Sequence, residues 1–157
     1  TQDFVAALLK NTPVFENGGR AATTTFSQRN IGDVLVTFEN EANYVSKKLT
    51  QDQFEIVYPS YTIISEAPVA VVDSVVDKKG TRAAAEAYLK NLWSEPAQEL
   101  AANLYLRPRN AEVLAKHKAD FPDIETFNPN EKFGAWSDIM KKFFADGGLF
   151  DQLSGKK

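Results

Sequence analysis

The most informative segment of the sequence, Gly18 to Phe26, reads GGRAATTTF. Its two adjacent glycines let a backbone pass close to a ligand, because neither carries a Cβ. The threonines and Gln28 form a capping-box pattern that predicts a short helix from Thr25. A helix start offers free N–H groups and a positive dipole end, and Arg20 adds a charge or braces the loop carbonyls. The alternative is a plain strand-to-helix connection, which the local pattern alone favours.

Outward from this stretch, apolar periodicity predicts strands that alternate with helices at first and helices alone towards the end. The predicted helices cover residues 2–10, 39–49, 81–93, a stretch from Ser94, 111–118 and 136–144. The predicted strands cover residues 14–15, 33–38, 54–58, 61–65 and 69–72, with a polar turn at 77–80. The side chains predicted to face inward on the helix over 81–93 are Ala84, Ala87, Tyr88 and Leu92. This order indicates an α/β fold with C-terminal helices.

Composition excludes several classes of function. The chain has 157 residues, of which 43% are hydrophobic and 25% charged, as in an ordinary globular domain. Its net charge of -3 argues against a nucleic-acid binder, which usually shows a basic face. It contains no cysteine, which excludes disulfides, thiolate metal sites and cysteine nucleophiles. Its apolar stretch at 68–76 is interrupted by Asp73 and is too short to span a bilayer.

Catalytic and metal-binding candidates are few. His117 is the only histidine and lies between Lys116 and Lys118, which favours a solvated surface position over a catalytic triad. One histidine without cysteine does not supply the ligands of an ordinary zinc site. Acidic residues cluster at 39–41 and 120–125, where helix caps or solvated faces explain them better than an acid pair. We therefore predict no catalytic residue, no metal site, no cofactor and no enzyme activity.

The segment GGRAATTTF, followed by IGDVLVTFENE at Ile31–Glu41, resembles periplasmic sulfate- and thiosulfate-binding proteins of ABC importers. The resemblance continues in FEIV at 54–57, EAPVAVVD at 66–73, AEAYL at 85–89, YLRPR at 105–109, KFGAW at 132–136 and FADGG at 144–148. It covers nearly the whole chain, in order and with few gaps. It implies a partial type II periplasmic-binding-protein-like fold, with the C-terminal helices at the end of the chain.

The resemblance also implies a division into lobes. Residues 1–38 are expected to be the remainder of the second lobe, with the anion-facing loop and a hinge strand. Residues 39–157 are expected to return through the hinge, complete the first lobe and add the terminal helices. The chain is accordingly interpreted as a fragment that begins inside the second lobe. We expect it to bind anion weakly by itself, and exposed strand edges favour its self-association.

In this family the anion lies between the lobes and is held by neutral donors. The resemblance implies that the backbone N–H of Gly19 meets the anion and that Arg20 braces this peptide from behind. Gly18 and Ala21 complete the ligand-binding loop. Phe38 falls where sulfate-specific members place a tryptophan. Phenylalanine has no N–H to donate, so the resemblance is stronger to the thiosulfate branch, where a terminal sulfur is a poorer acceptor than oxygen.

The resemblance implies that the protein binds sulfate or thiosulfate in the periplasm and delivers it to the membrane permease of an ABC importer. One alternative is another tetrahedral oxyanion, molybdate or phosphate. Phosphate needs a carboxylate to accept its proton, which the loop over 18–22 lacks and which Asp33 or Glu39 would supply. A second alternative is the effector-sensing domain of a transcription regulator, which predicts an upstream helix-turn-helix and a cytosolic location.

Overall fold

A computed structural model describes residues 1–50 and 53–155. The chain divides into two units and passes between them after Thr37, Ile56, Ile64 and Asp123. The first unit comprises Thr1–Thr37, Val57–Ile64 and Ile124–Lys157, and the second comprises Phe38–Ile56 and Ser65–Asp123. The assignment of residues 1–38 and 39–157 to two lobes stays a prediction. None of the described helices is both long and apolar enough to cross a membrane.

The first unit opens with two helices, α1 over Gln2–Lys10 and α2 over Gly19–Arg29. The predicted bounds of α1 are confirmed. The predicted start of α2 at Thr25 is wrong, because the helix already begins at Gly19 and Thr25 is buried within it. Gly18 has φ of 116°, an angle that L side chains rarely adopt, and this lets the chain turn into the helix earlier.

Two short strands of the first unit pair in parallel. Strand β1 covers Tyr61–Ile63 and β2 covers Glu125–Phe127, with Tyr61 opposite Glu125. The helices of this part are α8 over Pro129–Phe133, α9 over Trp136–Ile139 with a π-helical turn over Met140–Phe144, and α10 over Leu149–Ser154. The predicted helix over 136–144 and the strand at Tyr61 are confirmed, whereas β2, α8 and α10 were not predicted.

Four predicted strands, at residues 14–15, 33–38, 54–58 and 69–72, are wrong. A strand needs a neighbour that accepts its backbone hydrogen bonds, and within the described ranges only β1 and β2 pair. The apolar side chains of these segments are largely exposed instead, as at Val34, Val36 and Val57. The structure is therefore a mixed, helix-rich fold in its described part, which confirms the α/β prediction only in its coarse form.

The second unit consists of helices. They are α3 over Glu39–Tyr44 with a π-helical turn over Val45–Leu49, α4 over Asp73–Lys79, α5 over Arg82–Asn91, α6 over Glu95–Asn103 and α7 over Ala111–Lys116. The helix predicted over 39–49 is confirmed. The polar turn predicted at 77–80 is wrong, since these residues continue α4 until Gly80 ends it in a left-handed conformation.

The core of the second unit is small. Val113 and Phe121 are fully buried against Ala102, and Leu114 packs beside them. The predicted inward face of α5 is wrong, because Ala84, Ala87 and Tyr88 are exposed and Leu92 is only half-buried. In the first unit Trp136 and Met140 are likewise about half exposed, at 53% and 51%. These apolar surfaces are consistent with self-association of the chain, which stays a prediction.

Candidate functional site

The predicted ligand-binding loop lies at the start of α2. Gly18 is the N-cap residue, and the first helical hydrogen bond runs from the Ala22 N–H to the Gly18 carbonyl at 3.2 Å. The N–H groups of Gly19 and Ala21 precede that bond and stand outside the helical hydrogen-bond ladder. Since α2 has eleven residues, its dipole adds a positive potential at this end.

The electrostatics of this turn suit an anion. The first turn of α2 contains no acidic residue, and its charged side chain is Arg20. A carboxylate is the usual stabilising group at such a position, because it offsets the partial positive charge of the helix start. Here the first turn contains Arg20 and no carboxylate, so its backbone N–H groups lie at the positive end of the helix dipole beside a guanidinium.

Threonine side chains of α2 form hydrogen bonds within the helix and to the loop that precedes it. Thr23 and Thr25 are buried, and the Thr25 hydroxyl donates to the Glu16 carboxylate. The Thr24 hydroxyl donates to the Arg20 carbonyl at 3.0 Å, and the Ser27 hydroxyl donates to the Thr23 carbonyl at 2.7 Å. These hydroxyls are therefore used within the helix and its flanking loop, and they do not cap the helix as the sequence pattern predicted.

Phe38 is the N-cap residue of α3, and its carbonyl accepts the Ala42 N–H at 3.0 Å. The residue is 58% exposed, so its ring is available at the surface of its unit. The predicted site residues thus fall into two groups. Gly18, Gly19, Arg20 and Ala21 share one turn of the first unit, whereas Phe38 belongs to the second unit. Their joint role in anion binding stays a prediction.

Next to Phe38, the carboxylate of Glu39 is held by Arg107. The Arg107 Nε donates to Glu39 Oε2 at 2.9 Å and its Nη2 donates to Oε1 at 2.6 Å. Arg107 and Arg109, on either side of Pro108, therefore form ion pairs with Glu39 and Glu66. The pair with Arg107 weakens the phosphate alternative, because both oxygens of Glu39 already accept hydrogen bonds. No local spacing signals the pair, since its partners are 68 positions apart.

The interpretation of His117 as a solvated surface residue is wrong. Its side chain is only 19% exposed, and its Nε2 lies 2.7 Å from Glu99 Oε2. Lys116 donates to Glu99 at 2.9 Å and to Glu95 at 2.8 Å. The hydrogen bond from His117, followed by that from Lys116, holds the pKa of Glu99 below its usual value. The contacts of His117 and Lys116 with Glu95 and Glu99 thus explain this charged cluster without a catalytic role.

Two acidic residues of the cluster at 120–125 also have partners. Asp120 pairs with Lys47, and Asp123 pairs with Lys118, which lowers the pKa of Asp123. Across residues 1–50 and 53–155, no three histidine or acidic side chains are grouped as metal ligands. Helix caps or solvated faces were predicted for these carboxylates. Asp123 is indeed solvated, at 87% exposed, whereas Asp120 is only 33% exposed and is held in an ion pair.

Comparison with known proteins identifies the family. A family model described as bacterial extracellular solute-binding protein matches residues 1–103. The chain belongs to this family. The chain is 56% identical over 152 residues to a thiosulfate-binding protein of Pseudomonas aeruginosa, a match that covers 97% of the chain and 46% of the relative. It is 52% identical over 153 residues to a sulfate-binding protein of Escherichia coli, covering 98% of the chain and 46% of the relative.

A thiosulfate-binding protein of Escherichia coli is 46% identical to the chain, over 98% of the chain and 45% of the relative. The resemblance to sulfate- and thiosulfate-binding proteins over nearly the whole chain is therefore confirmed. The chain spans about half the length of these relatives and matches their C-terminal part. Sulfate- and thiosulfate-binding relatives match to a similar degree, so overall identity does not separate the two anions.

Proposed function

We propose that the protein binds sulfate or thiosulfate in the periplasm and delivers it to the membrane permease of an ABC importer. The observation that carries this proposal is the start of α2. There a solute-binding protein presents backbone N–H groups and Arg20 without any acidic residue in the first turn. The names of its relatives, sulfate-binding and thiosulfate-binding protein, agree with a small dianion as the ligand.

The chemistry of such a ligand explains why backbone donors are used. A divalent anion loses its hydration on burial, which is costly unless its oxygens find hydrogen-bond donors. N–H groups at a helix start are fixed in direction and are favoured by the dipole. We assign the direct contact to the N–H of Gly19, with Gly18 and Ala21 leaving room for a close approach. Arg20 adds positive charge beside this peptide.

Phe38 is proposed to supply an apolar wall for the ligand. Its ring is exposed and has no polar hydrogen to donate. A terminal sulfur is a weaker acceptor than oxygen and therefore loses less when it faces carbon. We infer a preference for thiosulfate over sulfate at this position.

In this proposal the protein acts by binding and release, without covalent chemistry and without a cofactor. Residues 1–38 contribute to one lobe and residues 39–157 return to the other, in a type II periplasmic-binding-protein-like fold. Closure of two lobes around a ligand is a known way to change the surface that a partner recognises. The permease would bind the closed, loaded form in preference to the open form.

Isothermal titration tests the proposal on two samples. One sample is the 157-residue chain, and the other is the intact protein as the gene encodes it. We expect the intact protein to bind thiosulfate and sulfate tightly and the chain alone to bind them weakly. Molybdate, phosphate and chloride are tested as competing anions in the same calorimetric titrations. Binding of molybdate or phosphate without sulfate or thiosulfate would overturn the proposal, as would the absence of any anion binding by the intact protein.

A further inference from the structure

We propose that Arg107 is a positioning residue for Phe38, which it holds in place through Glu39. The inference rests on the proposed function, because it concerns the side chain that we assign to anion discrimination. It adds a residue that is distant in sequence from the predicted binding loop.

The ion pair between Arg107 and Glu39 is bidentate. The two N–H···O distances of 2.9 and 2.6 Å join the planar guanidinium to both oxygens of the carboxylate. The side chains are 32% and 23% exposed, so water screens the pair less than it screens a pair on the open surface. A bidentate pair of this kind fixes direction as well as distance, which a lysine ammonium does not do.

Arg107 is itself anchored in the core of the second unit. Its Nη2 also donates to the Pro122 carbonyl at 3.0 Å, and its guanidinium carbon lies 5.3 Å from the centre of the Phe121 ring. Phe121 is fully buried against Ala102 and Val113. The guanidinium is therefore held by a hydrogen bond and by a packed aromatic face at the same time. It provides a rigid point to which Glu39 is attached.

Glu39 transmits this constraint to Phe38 through one peptide bond. Glu39 is the first residue of α3 and Phe38 is its N-cap, so the two residues share a planar peptide group. The Phe38 carbonyl is held by the Ala42 N–H at 3.0 Å. The negative charge of Glu39 also lies at the favourable end of this helix. Both constraints act on the peptide group that follows the Phe38 Cα, and they limit the directions in which the exposed ring of Phe38 can point.

A neighbouring ion pair provides the contrast. Arg109 lies two positions further along the chain, and its guanidinium is 3.5 Å from Glu66. Both of these side chains are more than half exposed, and the distance is long for a hydrogen bond. Arg109 thus resembles Arg107 in type and location, but it does not hold the start of α3. It is a matched control for any variant of Arg107.

The test is a double-mutant cycle in the intact protein, with thiosulfate and sulfate affinities measured by titration calorimetry. We expect Arg107→Lys to weaken thiosulfate binding roughly three- to tenfold and to shrink the preference for thiosulfate over sulfate. In a Phe38→Leu background the same substitution should have almost no further effect, because there is no ring left to position. Arg109→Lys should bind both anions as the wild type does.

The possible outcomes distinguish a failure of this inference from a failure of the proposed function. Equal losses from Arg107→Lys in the wild-type and Phe38→Leu backgrounds would overturn the inference and leave the proposed function intact, as would no loss in either. Failure of the wild-type protein to bind either anion would remove the proposed function and the inference with it. If Arg107→Lys does not fold, Glu39→Gln weakens the same pair from the other side and is carried through the same cycle.

Discussion

The imidazole Nε2 of His117 lies 2.7 Å from the Oε2 of Glu99 and joins the end of α7 to α6. Glu99 lies three residues before Ala102 and His117 four residues after Val113, and both Ala102 and Val113 belong to the small core. Lys116 holds the other oxygen of Glu99 at 2.9 Å. The two helices are therefore tied together at their surface by a charged cluster, and the strength of this tie depends on the ionised form of Glu99.

We predict that Glu99→Gln reduces the loss of stability of the protein in acid. The pKa of Glu99 is lowered in the folded state by its bonds to His117 and Lys116. The stability that it contributes is present above the unfolded-state pKa of about 4.3, and it is lost as pH falls through the lower folded-state value. The measurement is the Tm of wild type and variant between pH 7 and pH 3.

The gap between the two melting temperatures should narrow as pH falls below the unfolded-state pKa. Glu112→Gln neutralises another carboxylate at the opposite end of α7 and is the matched control. A wild-type-minus-variant gap that stays constant down to pH 3 would show that the pair does not act through the ionised form of Glu99.

We predict that Gly19→Pro weakens anion binding by about ten- to hundredfold, the cost of one hydrogen bond to a charged group. Gly19 is the first residue of α2, a position where proline is well tolerated because its missing N–H has no acceptor within the helix. The substitution therefore removes the proposed donor while it preserves the helix. Titration with thiosulfate measures the effect in the intact protein.

Gly19→Ala is the control for this prediction, since it adds a Cβ and keeps the N–H. We expect it to bind much more tightly than Gly19→Pro, at a similar Tm. Equal affinities of the two variants would show that the Gly19 N–H does not contact the anion.

We predict that Phe38→Trp shifts the preference towards sulfate by about tenfold, because the indole adds an N–H donor where phenylalanine has none. The ratio of the sulfate and thiosulfate dissociation constants is the measured quantity. Phe133→Trp adds an indole at another half-exposed phenylalanine, in the first unit, and should leave the ratio unchanged. An unchanged ratio in Phe38→Trp would contradict the role assigned to this position.

We predict that Asn110→Ala destabilises the protein by about 1 kcal/mol. The Asn110 side chain caps α7 and accepts the N–H groups of Glu112 at 2.9 Å and Val113 at 3.1 Å. Thr81 occupies the same position in α5 without a side-chain capping bond, so Thr81→Ala should cost much less. The free energy of unfolding of both variants is measured by urea denaturation. Similar losses of stability in the two variants would contradict the capping role of Asn110.

Local signals in the sequence predicted several elements well. The bounds of α1 were predicted to the residue from apolar spacing, and Ser94 with Pro96 marked the start of α6. The start of α2 was missed because the threonine pattern at Thr25 outweighed the double glycine in the prediction. In the structure the threonine hydroxyls bond to nearby carbonyls and to Glu16, while Gly18 provides the turn.

Residue order alone indicated the family, the helices α1, α3, α5, α6 and α7 and the helix over 136–144, because these depend on bonds within one turn of chain. Only the tertiary structure decided which apolar segments became strands, since β1 needs β2 from a distant part of the chain. It also decided that Glu39 belongs to Arg107 and that His117 faces Glu99. Such pairs form only when packing brings together side chains that are far apart in the sequence. Local spacing along the chain therefore does not predict them.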